Sequence, residues 1–237
     1  MFADIPTLRW RKSANSCLLN DVSHIVGVRA AQKEQSRRAL LDAGLRLLEH
    51  QNLSGLGVRE VTRAAGLSPA GFYRHFRDLD ELGVVLVTES LQSLHLMIRK
   101  ILAEQGDAEE LIDGAIAVIA RHVREHRAHI RFLTRERHGG VRRVREAIAA
   151  ELATFTAETA AALGTQPQSA GWSAEDLRML AGLYVEHLVA TAAAFLEAPD
   201  APPAAARAAE RRIAALARDQ LRLISLGRRH WPTAPRT

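Results

Sequence analysis

Between Ser68 and Arg77 the chain reads SPAGFYRHFR. Aromatic rings make up only 5% of the 237 residues, yet three of them stand within Phe72–Phe76. Phe72 and Phe76 are four apart, so on a helix they share a face and pack inward, against Val61, Ala65 and Leu45. Tyr73 lies about 100° round from Phe72 on a helix of 3.6 residues per turn. Arg77 follows one turn later, and these two, with Arg74 and His75, are the side chains able to bond phosphate oxygens. Ahead of them, Pro69, Ala70 and Gly71 make a very small tip. Such residues form no bidentate base contacts, but they admit thymine methyls and let free N–H groups lean on phosphate. Glycine in a helix costs about 1 kcal/mol against alanine, less in a first turn, so Gly71 points to close backbone approach to a surface. Arg59, at the start of the preceding helix, is the candidate for reading a base edge, guanine first. Ser68, just ahead of the small tip, and Arg29 and Lys33, in a basic stretch upstream, complete the DNA-binding set.

Two further constellations carry possible chemistry. His122 to His126, HVREH, has the His-x-x-Glu-His spacing of inverted zinc peptidases, with Glu125 as the base. It sits among arginines that repel a cation, and the pattern arises easily in a helix rich in His, Arg and Glu. It is read as a solvated helix face, and no metal is expected. From Arg121 to Arg145 nine arginines face only Glu125 and Glu136. This stretch is open to three readings: a salt-bridged surface, an aid to the electrostatic field on an anionic partner, or a grip on the phosphates of a ligand. No nucleophile elbow, P-loop or GxGxxG occurs, so no enzyme and no cofactor are expected.

The elements that must position these residues are helices almost throughout. Ala, Leu, Arg and Glu dominate after residue 28, and no alternating β-branched run appears. Residues 1–28 have no sustained period and read as a flexible leader. Leu40, Leu41, Leu45, Leu47 and Leu48 recur at helical spacing up to the stop NLSGLG. A short helix from Val58 ends at Gly66, suited to a left-handed cap, and Ser68 and Pro69 start the next as N-cap and first residue. Asp78, Asp80 and Glu81 open a longer helix, with Leu82, Val85, Leu86, Leu94, Met97 and Ile98 on its apolar side. Further helical patterns cover roughly 108–137, 141–163, 173–197 and 204–228. The expected organisation is all-α: a leader at 1–28, a three-helix unit with a helix-turn-helix at 29–77, and a larger helical unit at 78–237.

Bulk properties agree. A chain that is 47% hydrophobic and 25% charged can bury a core. Its single cysteine, Cys17, excludes an internal disulfide and a multi-Cys zinc site. No apolar run approaches the ~20 residues of a membrane span, and no secretory signal is evident, so no membrane partner and a cytoplasmic location are expected. The net charge of +5 is matched by the excess of cations over anions between Arg29 and Arg77 alone. That concentration favours an anionic partner at this end.

The helix-turn-helix enters as residues: two short helices joined by AAGLS, with a longer helix across both. VREVTRAAGLSPAGFYRHFRDLDEL resembles the N-terminal domain of TetR-type transcriptional regulators. GVRAAQKEQSRRALLDAG, RFLTRERHG and QLRLISLGRRHW bring it closer to the FabR- and DesT-like repressors of unsaturated fatty-acid synthesis within that family. Two departures stand out. Leu79 occupies a position where a phosphate-gripping lysine is common, which leaves that contact to Arg77, and Gly57 replaces the usual capping Ser or Thr. The resemblance implies a TetR-like fold of about nine helices and a homodimer on palindromic double-stranded DNA. It also implies a hydrophobic effector, a long-chain acyl-CoA or acyl-carrier-protein thioester. Pocket candidates are Ile116, Ile119, Val123, Phe132, Phe155, Leu183, His187 and Leu188, each also readable as plain core, and His187 as a hydrogen-bonded core or interface residue. Helices 173–197 and 204–228 are the expected dimer face, through Ala190, Ala193, Ala194, Ala208 and Ala215. Two rival functions remain: a TetR-type regulator of efflux or catabolism, and a DNA-bound interaction protein without an effector.

Overall fold

The structure is a computed structural model that describes residues 15–103, 108–198 and 202–231, with side chains described from residue 29 except at 93–94 and 96–108. The described residues form nine α-helices and two short 3₁₀ turns, with no strand among them. The first is α1 (Asn15–Leu47). It begins well inside the segment expected to be a leader: from Asn15 to Val26 no Pro or Gly interrupts the chain, and an absent apolar period does not by itself stop a helix. Residues 1–14 lie outside the described residues.

After a 3₁₀ turn at Leu53–Gly55 come α2 (Val58–Ala64) and α3 (Pro69–Phe72). The turn between these two is closed by backbone geometry. Leu67 N donates to Thr62 O at 2.9 Å and Gly66 N to Arg63 O at 3.2 Å, a Schellman pair. Gly66 takes φ +68°, a left-handed conformation that glycine reaches without strain. Ser68 Oγ then accepts from Gly71 N at 3.2 Å and Pro69 sits at the first helical position. The helix proper is only four residues long, but Phe76 N still donates to Phe72 O at 3.0 Å, so the helical turn carries on to Phe76.

The remainder is α4 (Leu79–Ala103), α5 (Ala108–Glu125), α6 (Arg127–Glu136), α7 (Arg142–Gly164), α8 (Ala174–Leu196) and α9 (Pro203–Arg229). α7 and α8 pack together, α4 lies on α7, and α9 lies on α5 and α8. The single helix expected over 108–137 is broken at His126 (φ −128°, ψ 37°). No glycine or proline marks this break; packing makes it. Ile130 joins a core with Ile119, Val123 and Phe195, while Phe132, two residues on, joins the core of the N-terminal helices. Arg127 Nη2 pins the start of α6 to the carbonyl of Leu196 at 3.1 Å.

That N-terminal core includes Leu41, Leu45, Val61, Phe72 and Phe76 and runs on through Leu82 and Phe132 to Val144. The helix-turn-helix therefore shares its apolar interior with the body. By length and composition α8 could cross a membrane, its apolar window having a mean hydropathy of 1.6. It is packed against α5, α6, α7 and α9, with Leu180, Ala181, Val185 and Phe195 buried.

Candidate nucleic-acid interface and internal cavities

The tip of the helix-turn-helix divides by face. Phe72 and Phe76 are buried with ring centroids 5.6 Å apart, and the Arg37 guanidinium lies 5.7 Å from the Phe76 ring. Pro69, Ala70, Tyr73 and Arg74 are exposed, as are Arg29, Lys33 and Arg59; Tyr73 is 62% exposed, an unusual position for a ring with apolar neighbours at hand. A Cβ built on Gly71 would come no closer than 3.7 Å to Leu67 Cβ and Ser68 Oγ, an ordinary contact. Nothing inside the fold demands glycine there, so the reason for it lies outside.

Two expected phosphate contacts are placed differently. His75 is half-buried, its Nδ1 without an acceptor or donor, and burial, then Lys33 and Arg37, hold its pKa below the usual histidine range. Tyr73, by contrast, is largely exposed, its ring meeting only the edge of Phe72 at 5.5 Å. Arg77 is exposed but occupied: Glu81 Oε2 accepts from both its backbone N (2.7 Å) and its Nε (3.1 Å). Those bonds, the backbone one first, lower the Glu81 pKa. Asp78 Oδ1 meanwhile accepts from Glu81 N at 2.7 Å, which gives α4 a reciprocal cap. An anion reaching Arg77 must compete with Glu81. Gly57 is the N-cap of α2 and provides no side-chain bond.

The basic stretch is spent inside the protein. Of the nine arginines from Arg121 to Arg145, eight meet an acceptor of this chain. Arg135 Nη1 donates to the carbonyls of Leu48 and Gln51, both at 3.1 Å. Its neighbour Glu136 is fully buried, and its Oε1 accepts from Leu53 N at 2.8 Å. Arg131 lies 3.7 Å from Glu49. Together these three residues of α6 hold the end of α1 and the 3₁₀ turn, a job the sequence did not disclose, since a carboxylate in an arginine run reads as a surface pair.

Two adjoining cavities open between α4 and α9. The first is lined by Leu91, Ile119, Val123, Ile130, Leu133, Ile148, Phe155 and Leu188, with His95, His122, Thr134, Arg137 and Glu151 as its polar groups. His95 stacks on Phe155 at 5.3 Å. Burial, with His126 next, lowers the His122 pKa to about 4, so the imidazole is neutral. No group of His, Cys, Asp or Glu among the described residues is arranged to hold a metal ion. The second cavity, of about 150 Å³, shares Ile119, Val185 and Leu188 with the first and continues past Ile112, Tyr184 and Leu221 to Arg228.

Of the residues expected in a pocket, Ile119, Val123, Phe155 and Leu188 are wall. Ile116 and Phe132 are buried core behind it. Leu183 is 51% exposed and faces outward: it lies one residue before Tyr184, which turns inward, about 100° round the helix. His187 is outside both cavities, where its Nε2 donates to Ala217 O at 3.2 Å and joins α8 to α9. Burial holds its pKa down, partly offset by that bond. Tyr184 of α8, Thr159 of α7 and Arg228 of α9 are wall residues that the sequence reading does not name: α8 and α9 read as dimer helices, and no local signal marks Thr159.

Residues 40–83 match the profile of bacterial regulatory proteins of the tetR family. Among solved structures, the fatty acid degradation regulator FadR from Bacillus halodurans superposes with a TM-score of 0.61 at 14% identity, covering 80% of this chain and 94% of its own. NalD of Pseudomonas aeruginosa, the secondary repressor of the MexAB-OprM multidrug efflux pump, gives 0.59 at 15%, covering 83% and 97%. A transcriptional regulator from Rhodococcus sp. gives 0.58 at 18%, covering 82% and 96%. At these identities the superpositions speak for the fold, and the profile for the helix-turn-helix. The chain thus carries the N-terminal domain of the tetR family of bacterial regulatory proteins on an all-helical body of the matching fold.

Proposed function

We propose that the protein is a ligand-responsive transcriptional repressor of the bacterial cytoplasm that binds palindromic DNA as a homodimer. The observation that carries this reading is the position of α6. One side of it, through Ile130, Leu133 and Arg137, is wall of the first cavity. The other side, through Arg135 and Glu136, is bonded to the end of α1 and the 3₁₀ turn. A molecule that displaces the wall moves the clamp, and with it the helix-turn-helix. Because both ends are joined by packed side chains and buried bonds, two arrangements of α6 would separate DNA-binding from released states. The shared core of Phe72, Phe132 and Val144 transmits the same displacement.

The dimer face in this reading is α8 with α9. Leu183, Leu216 and Leu223 are exposed there beside the small, exposed Ala190 and Ala215, an apolar surface that favours association. Within this frame the effector is a hydrophobic metabolite with an acyl chain, and the regulated genes are those of fatty-acid metabolism, including unsaturated fatty-acid synthesis. The apolar cavity walls support the chain. The grip on a thioester's phosphates expected from the arginine stretch loses support, because those arginines are bound within the protein. A second reading, control of efflux or catabolism by another small hydrophobic molecule, is favoured by the same cavity and by a fold shared with an efflux repressor.

The deciding experiment selects an operator from random duplex DNA and titrates it with protein in the presence of saturated or unsaturated long-chain fatty acids, offered both as free acids and as acyl-CoA. The fatty-acid reading expects different operator affinities with saturated and with unsaturated chains. Equal affinities defeat it and leave the regulator reading in place.

A further inference from the structure

Arg228 ends the second cavity in an arrangement that an isolated fold does not require. Its Nη1 donates to Gln166 Oε1 at 2.9 Å, and its Nη2 to the Leu163 carbonyl at 3.4 Å and to Ser169 Oγ. All three acceptors are neutral. No carboxylate pairs with it among the described residues, and burial pulls its pKa below the usual arginine range, countered only by Tyr184. A guanidinium stays charged in a protein, so a positive charge is held here with no counter-ion of the chain's own. Of the two N–H groups these bonds leave over, the one on Nε is buried and unbonded. In the same cavity the buried Thr159 Oγ1 also has no partner. Tyr184, whose phenol burial keeps neutral, and Ser225 stand in the wall beside them. A half-buried guanidinium without a counter-ion and two unpaired polar atoms thus belong to the lining residues of one cavity, among Ile112, Ile119 and Leu188. Buried polar groups left unpaired are costly and rare, and a convergent set of them in a cavity marks a place for a ligand that pairs them.

We propose that this cavity takes a small amphipathic carboxylate, its anionic head bonded to Arg228 and its apolar body lying along the wall towards the first cavity. The fixed bonds to Gln166, Leu163 and Ser169 orient the fork, and the carboxylate supplies the counter-charge that the guanidinium lacks. A thioester or an alcohol offers only a neutral oxygen and leaves the charge uncompensated. The inference rests on the reading that these cavities belong to the effector, and it narrows the effector to an organic acid in free form.

The test is isothermal titration of the full chain with octanoate, 1-octanol and octanoyl-CoA, and with 4-phenylbutyrate and 4-phenylbutanol. Each acid is expected to bind about tenfold or more tightly than its alcohol, the usual advantage of a charge-assisted bond. In Arg228→Gln the acid should fall to the level of the alcohol while the alcohol is unchanged, a split that a merely structural role would not produce. Equal binding of acid and alcohol to the wild type overturns the proposal without recourse to any variant, as does failure of both acids to bind. Equal loss of acid and alcohol in Arg228→Gln also overturns it. Operator binding separates this from the regulatory reading. An acid that binds through Arg228 without changing operator affinity upholds the site and defeats the effector role. Release by alcohols and acids alike upholds regulation and defeats the carboxylate.

Discussion

At the scale of single residues, the tip of α3 makes its claim through what is absent. Gly71 has room for a methyl group, and alanine is the better helix former by about 1 kcal/mol at most. Gly71→Ala is therefore expected to leave thermal stability unchanged or slightly raised while weakening DNA binding; unchanged DNA binding would remove the argument for close backbone approach. Tyr73→Phe should weaken binding to all duplexes alike, whereas Arg59→Ala should cost about 1–3 kcal/mol and also blur base preference, as binding to selected and scrambled duplexes will show. His122 makes a different prediction. Its pKa falls from 6.5 to about 4 on folding, so between those values the unfolded chain takes up a proton that the folded chain refuses. The stability is complete above about pH 6.5 and is lost as the pH falls towards 4. The melting temperature should drop across that window, and His122→Gln should flatten part of the slope, the rest coming from His75, His129 and His187, whose values are lowered too. An identical slope in the variant would contradict the assignment.

At the scale of elements, the sequence is most legible where local chemistry decides. Ser68, Pro69 and Gly66 announce the turn of the helix-turn-helix by cap and by φ alone, and Phe72 and Phe76 announce its inner face by spacing. It is least legible where packing between distant elements decides. The break at His126 carries no breaker residue, and the clamp of Arg135 and Glu136 depends on backbone carbonyls and an N–H more than eighty positions away in the chain. Arg228 escaped notice for the same reason, since its partners lie on the end of α7 and the 3₁₀ turn Pro167–Ser169 after it. Gly83 belongs here as well. A Cβ on it would stand 2.5 Å from Leu53 Cδ2 and 2.8 Å from Val144 Cγ2, where α4, the 3₁₀ turn and α7 meet. Gly83→Ala is expected to destabilise by about 1–3 kcal/mol, the usual cost of overpacking. Denaturant unfolding at wild-type stability would show that this junction is looser than described.

At the scale of the whole molecule, the account requires two copies. Leu216 and Leu223 are one heptad apart on α9, and Leu223 is 71% exposed. Leu223→Glu should yield monomers in sedimentation and lose operator affinity with them, because each monomer then holds only one reading head; a dimer that persists would place the interface elsewhere. The central claim, that this is a dimeric reader of duplex DNA through the tip at Pro69–Tyr73, meets its most direct test in a hydroxyl-radical footprint on a duplex selected from random sequence. Two dyad-related patches of protection are expected, with half-site centres about one helical turn or a multiple of it apart, both needing higher protein concentration in Arg59→Ala. Protection of a single patch, or of none that depends on Arg59, would contradict the claim.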